Sequence, residues 1–303
     1  MLNSLSQNTP CELVSCVTSD GIRLHGAWHP SSQDGPLRDL TLVTVHGAGG
    51  NFYSSHLFRA CTPPLLALGA SVLWTNNRGH DGLVNTTWGR EGRQGAGFEI
   101  VDECRLDLQA WQKWLTQHTS SNRRVLWGHS LGAIKSLYAQ AHEPDAETLG
   151  VIACSPIILS RSAFSTGPRA AEYQSDLERA QEFVSRGEGS KLFHIRNPIS
   201  LWISARSYLD KYGPEERYNI LNFLHSVACP ILFTYGRLEL PDSPHAIPEL
   251  QTQLREAAPD RQDFECQVIE KANHFYTDGI DEVSQQMERW LLSLIGDDVS
   301  PFG

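Results

Sequence analysis

The string Gly128-His129-Ser130-Leu131-Gly132 constrains this chain more than any other stretch of it. It is a Gly-x-Ser-x-Gly pattern between an apolar strand-like run, Val125-Leu126-Trp127, and a helix that begins at Ser130 or just after it. A serine at such a strand-to-helix turn is held in a strained backbone conformation, with its hydroxyl exposed above the sheet. The flanking glycines let neighbouring backbone pass close by. The helix aims its first amides and positive dipole end at the point where an oxyanion would form. The pattern alone occurs by chance in many proteins. Here strand and helix flank it, and Ser130 is read as a nucleophile.

A serine hydroxyl carries almost no alkoxide at neutral pH, so it needs a base within hydrogen-bond reach and a third group to orient that base. Most of the twelve histidines have ordinary readings: His25 and His29 lie in an early strand-like segment, and His118 and His142 sit near helix ends. His129 adjoins the nucleophile but is expected to point elsewhere at the turn. His274 lies in Lys271-Ala272-Asn273-His274-Phe275-Tyr276, after the strand 264–269 and before the last helix. Loops leaving the carboxyl ends of strands are where α/β sheets place their chemistry, and His274 is the candidate base. The acid is sought on another such loop. The buried-strand run Pro230–Tyr235 leads into Gly236-Arg237-Leu238-Glu239, with Asp242 further along the same loop. Either carboxylate could accept from the imidazole Nδ1–H. Glu239 is preferred on reach, since Pro241 and Pro244 turn the chain away, and Asp242 stays open.

The order Ser, acid, His, together with these motifs, resembles the α/β-hydrolase superfamily from about Glu12 to about Leu294. Val43-Thr44-Val45-His46-Gly47-Ala48-Gly49-Gly50, a strand running into a His-Gly loop, is similar to the family loop that supplies one oxyanion-hole amide. The resemblance implies that Ala48 supplies that amide and Leu131 the other. Arg78-Gly79-His80-Asp81 resembles the family's Arg-Gly turn, departing from it in Asn76 and Asn77. A Glu acid in place of the more frequent Asp is a further mild departure.

Apolar strand-length runs alternate with helices: strand 41–46, helix 55–68, strand 70–75, helix 99–117, strand 124–128, helix 131–142, strand 149–154. A hairpin of 13–18 and 21–28 precedes them. This predicts an α/β fold with a mostly parallel central sheet and helices on both faces. Ile100, Cys104, Leu108, Trp111 and Leu115 repeat at helical spacing and are read as a core stripe. Two stretches break the alternation. The glycine-rich 81–98, with Arg90 and Arg93, leaves a strand's carboxyl end and could fold over the site or be a solvated loop; its glycines fit no phosphate-loop pattern. Residues 155–227 are helical in character and resemble an inserted helical cap, leaving 1–154 and 228–303 as the core domain. Individually the cap aromatics are core candidates; collectively some are expected to line a pocket, and Trp202 and Tyr208 are the residues chosen for it.

At 303 residues the chain can hold one large α/β domain plus an insertion. A net charge of −10 argues against nucleic acid or an anionic membrane as partner. No run approaches the length of a membrane span, and residues 1–8 lack the basic and apolar regions of a signal peptide. The seven scattered cysteines fit reduced thiols, so a cytoplasmic location is expected, and the sequon Asn85-Thr86-Thr87 reads as chance. No metal or cofactor is implied, and the partner expected is a small-molecule substrate, with the oligomeric state open. The function expected is a serine hydrolase cleaving a carboxylic ester. A thioesterase, an amidase or peptidase, and a carbon–carbon bond hydrolase are alternatives on the same residues. A non-enzymatic receptor using the capped pocket is the alternative of another class; loss of a triad residue would favour it.

Overall fold

Strands whose every residue is apolar or small must be covered on both faces, and Leu40–Val45 and Ile231–Gly236 are buried along their whole length. The computed structural model describes residues 9–85, 93–242, 247–261 and 263–296. In chain order these hold β1 (Glu12–Val17), β2 (Arg23–His29), β3 (Leu40–Val45), α1 (His56–Ala67), β4 (Ser71–Thr75), β5 (Val84–Asn85), β6 (Arg93–Gln94), α2 (Cys104–His118), β7 (Arg123–His129), α3 (Leu131–His142) and β8 (Thr148–Cys154). There follow α4 (Arg161–Thr166), α5 (Ala170–Ser185), β9 (Leu192–Ile195), β10 (Leu201–Ser204), α6 (Ala205–Tyr212), β11 (Ile231–Gly236), α7 (Ile247–Ala257), β12 (Phe264–Ile269) and α8 (Ile280–Gly296). Eight strands form one sheet in the order β1-β2-β4-β3-β7-β8-β11-β12. β1, β2 and β4 pair antiparallel, and every pairing from β4 to β12 is parallel. The mostly parallel α/β sheet expected from the alternation is the one present.

The sheet separates two apolar layers. α1 and α8 cover one face with Leu57, Phe58, Leu65, Val283, Met287 and Leu291. α2, α3 and α7 cover the other, with Trp111, Ile134, Leu137 and Leu254. The stripe read from the sequence is buried at Cys104, Leu108, Trp111 and Leu115, while Ile100 precedes the helix. Among the described residues no helix is long and apolar enough to cross a membrane.

Residues 155–227 lie between β8 and β11 and pack on the α2–α3 side of the sheet, their own centre built from Tyr173, Leu177, Phe193, Tyr208 and Tyr212. The segment is not wholly helical. Leu201–Ser204 pairs with Leu192–Ile195, Trp202 opposite His194, and the Ser204 amide donates to the Gly97 carbonyl at 2.7 Å. After 197 the expected helical character thus holds only from Ala205 onward, because pairing with β9 claims the preceding four residues.

Charge also joins this segment to the sheet layers. Glu99, 2% exposed, lies between two buried lysines, Lys135 of α3 and Lys211 of α6. Its carboxylate contacts Lys135 and accepts from Lys211 Nζ at 3.2 Å. Burial alone would push this carboxyl up, and the two ammonium groups instead hold it down at about 2. Gly79 makes the room: a Cβ there would lie 2.0 Å from Glu99 Oε1. Arg78, the arginine of the Arg-Gly turn, is likewise buried, bound to Asp107 of α2 at 2.8 and 3.0 Å and to Asp20 at 2.9 Å.

Removing one member of a buried charge group strands the others, at a cost of about 3–5 kcal/mol. Glu99→Gln is therefore expected to lose about that much stability in urea unfolding, whereas breaking the exposed Arg38–Asp34 pair should leave the urea midpoint nearly unchanged. Equal, small effects for the two would contradict the structural weight given to Glu99.

Candidate active site

Ser130 stands between β7 and α3 with φ 56° and ψ −123°, a strained positive-φ conformation of the kind that costs a non-glycine residue about 1–3 kcal/mol. The glycines around it are required by contact. A Cβ on Gly128 would lie 2.4 Å from the Gly132 carbonyl oxygen, and one on Gly132 would lie 1.9 Å from that of Val45. The Ser130 amide donates to the Cys154 carbonyl at 2.8 Å, fixing the turn to the end of β8.

Three side chains from three strand-end loops meet here. His274 Nε2 lies 3.0 Å from Ser130 Oγ, and His274 Nδ1 lies 2.7 Å from Glu239 Oε2. A carboxylate only accepts, so Nδ1 carries the ring proton and Nε2 is free to accept from the serine hydroxyl. Glu239 Oε1 accepts from the Gly236 amide and from Ser155 Oγ, each at 2.6 Å. Burial pushes the Glu239 carboxyl up, but the bonds from His274, Ser155 and Gly236 outweigh it and hold it below the ordinary value. The rival Asp242 ends the short 3-10 helix 237–242 that carries Glu239, and its side chain lies outside the described residues.

Ala48 and Leu131 both line the cavity on which Ser130 opens. Leu131 is the first residue of α3, where an amide has no partner within the helix. Among the described residues the Ala48 amide donates to no main-chain carbonyl. His46 steadies that loop: its Nδ1–H donates to the Gly47 carbonyl at 2.8 Å and its Nε2 accepts from the Asn77 amide at 3.1 Å. Burial and the Lys135 charge push the His46 imidazole down to about 3.

The cavity measures about 380 Å³. Leu57, Phe58, Ile134, Ile157, Leu159 and Ile199 supply apolar wall, Tyr212 adds another, and Phe275 stands 62% exposed at the mouth. Among the described residues no Asp, Glu, Lys or Arg lines it. Trp202 and Tyr208, chosen from the sequence as pocket residues, do not line it. Trp202 is 54% exposed on β10 against His194, and Tyr208 is wholly buried between Phe193 and Tyr212. The strand turns the one outward, and the packing of the inserted segment consumes the other. Arg93 stacks on Phe98 and lines a second cavity with Arg78 and Glu103, sharing no residue with the first; Arg90 lies outside the described residues.

His129 is not directed away from the site. Its Nε2–H donates to the His274 carbonyl at 2.7 Å, its ring lies 5.0 Å from that of His274, and it lines the cavity. Burial and the neighbouring His274 push it down to about 4. Its place in the Gly-x-Ser-x-Gly string was visible, but the partner, a carbonyl 145 residues on, was not. Ser155 was missed too, because an isolated serine after a strand carries no signal. Among the described residues no three His, Cys, Asp or Glu side chains are grouped so as to share a metal ion.

A family model described as the alpha/beta hydrolase family matches residues 42–286. The chain belongs to that family. No curated protein matches it in sequence. Among solved structures it is similar to an esterase of Pyrococcus furiosus, at 20% identity and a TM-score of 0.62, covering 93% of this chain and 91% of that one. An alpha/beta hydrolase of Penicillium sp. sh18 superposes with a TM-score of 0.70 at 19% identity, covering 95% and 99%. Est1E of Butyrivibrio proteoclasticus, solved with ferulic acid bound, gives 0.65 at 14%, covering 93% and 100%. At these identities the likeness establishes the hydrolase fold.

His46 and His129 are neutral when folded and free to protonate when unfolded. Their folded values lie below the unfolded value of about 6.5, so the unfolded state binds more protons and stability falls as pH drops below that value. Between pH 6 and 5 each approaches a slope of about 1.4 kcal/mol per pH unit. Urea midpoints measured from pH 7.5 to 5 should decline with a steepening slope; a flat profile would mean that these imidazoles are charged in the folded protein.

Proposed function

We propose that this hydrolase cleaves carboxylic esters of uncharged, largely apolar acids through an acyl-enzyme on Ser130. The observation that carries the reading is the unbroken Ser130–His274–Glu239 hydrogen-bond relay opening on a cavity that, among the described residues, is lined by no Asp, Glu, Lys or Arg.

In this reading Ser130 Oγ attacks the ester carbonyl carbon while His274 Nε2 takes its proton. The carbonyl oxygen becomes an oxyanion held by the Ala48 and Leu131 amides, with the dipole of α3 behind the latter. Collapse breaks the bond to the alcohol, which leaves with the proton returned by His274. Water, deprotonated by the same imidazole, then releases the acid and restores Ser130. Glu239 keeps the ring in the required tautomer and stabilises the imidazolium. An apolar cavity of about 380 Å³ suits a medium-length acyl chain. Residues 155–227 act as a cap that supplies the wall formed by Ile157, Leu159, Ile199 and Tyr212.

Ser130→Ala should abolish ester hydrolysis with the fold intact, and Glu239→Gln should lower kcat by about 10³–10⁴-fold, since a neutral amide cannot stabilise the imidazolium. A folded Ser130→Ala variant that keeps activity removes Ser130 from the mechanism. A loss of that size on Asp242→Asn, and not on Glu239→Gln, moves the acid to Asp242.

The cavity makes a separate prediction, read on p-nitrophenyl esters of graded length, a thioester and an anilide. Ile199→Trp should depress octanoate hydrolysis more than tenfold while sparing acetate, and Trp202→Ala should leave the preference unchanged. A Trp202→Ala variant with altered chain-length preference would put the acyl group elsewhere.

A further inference from the structure

The hydrolase reading leaves unexplained why Ser155 keeps an unfavourable backbone. It follows β8 directly with φ 47°, a left-handed conformation that glycine would adopt without strain. Retained strain of this kind points to a side chain that is needed where it stands. Ser155 is 1% exposed, its amide donates to the Thr234 carbonyl at 2.8 Å, and its hydroxyl lies 2.6 Å from Glu239 Oε1.

Proton counting fixes the direction of the bonds. The carboxylate only accepts, so the single Ser155 proton goes to Glu239. Ser155 Oγ also lies 2.9 Å from the Tyr276 phenol oxygen, whose own proton goes to the Thr234 carbonyl, likewise at 2.9 Å. The Thr234 hydroxyl, 2.7 Å away, donates to the phenol oxygen. Tyr276 is fully buried and stands two residues beyond His274 on the same loop, itself with φ 58°. These contacts close a ring: His274 to Glu239, Glu239 to Ser155, Ser155 to Tyr276, and back along the chain to His274.

We propose that Ser155, supported by Tyr276, is a positioning residue that fixes the Glu239 carboxylate against His274. A glutamate has one more torsion than an aspartate, so its carboxyl needs more restraint to present one oxygen to the imidazole. The Gly236 amide restrains Oε1 from one side and Ser155 from the other. The Ser155 proton also draws negative charge away from the oxygen facing His274. Neither residue lines the substrate cavity, so both act through Glu239 and not on the substrate.

The inference rests on the hydrolase reading, and one experiment separates the two: kcat, KM and the pH profile on a short activated ester for wild type, Ser155→Gly, Tyr276→Phe, their double variant and Ser130→Ala. Glycine removes the hydroxyl while relieving the left-handed backbone, and Ser155→Ala serves as a second deletion if glycine loosens the turn. Ser155→Gly should lower kcat about 10- to 100-fold, the range for losing a hydrogen bond to a charged group, with KM little changed. Its acid limb should move to higher pH, because more carboxylate charge then faces the imidazolium. Tyr276→Phe should show a smaller loss that disappears in the Ser155→Gly background. The proposal is overturned if a folded Ser155 deletion keeps the wild-type kcat and acid limb, or if the two losses multiply. An active Ser130→Ala instead overturns the hydrolase reading itself.

Discussion

Everything at the site depends on how closely the helix after Ser130 approaches the end of β3. The space between Gly132 and the Val45 carbonyl admits no side chain, and the Gly128–Gly132 contact admits none either. Two strands and a helix can converge so tightly only if the residue between the glycines takes the strained positive-φ conformation, which lifts Ser130 out of the sheet. The same approach brings the His46–Gly50 loop alongside the first turn of α3, with a Cβ on Gly47 falling 3.0 Å from Ser130 Cβ. One steric constraint thus sets the hydroxyl, both candidate oxyanion amides and the floor of the cavity.

Buried charge performs a related task one layer away. Lys135 lies on the helix that begins at Leu131, and Lys211 precedes Tyr212 on the cavity wall. Glu99 holds the two together from a third element. A buried ion group contributes little net stability beside a hydrophobic equivalent, but it is intolerant of misplacement. It ties the residue before Tyr212 to the helix that follows Ser130.

The sheet was legible in the sequence because parallel strands buried on both faces read as predominantly apolar, β-branched runs, and Leu40–Val45 and Ile231–Gly236 are such runs. The meeting of Ser130, Glu239 and His274 was legible because they follow the sheet strands β7, β11 and β12 on short connections, so the fold restricts where each side chain can go. The inserted segment was not. It is helical in character overall, yet Leu201–Ser204 pairs with β9, and no local pattern separates Trp202, which faces outward, from Tyr212, which reaches the cavity. His129 and Ser155 were missed for a common reason: each bonds to a group far along the chain, a carbonyl at 274 and a carboxylate at 239. Tertiary hydrogen bonds of this sort leave no periodicity to read.

The central claim is that Ser130 is the atom donor in a covalent step, and covalent capture tests it directly. A fluorophosphonate reacts with a serine only where a base activates the hydroxyl and amides receive the phosphoryl oxygen. Peptide mapping by mass spectrometry after its reaction should find one adduct, on the peptide bearing Ser130, and none in a folded His274→Ala variant. An adduct confined to another residue, or an unmodified Ser130 in active protein, would contradict the account.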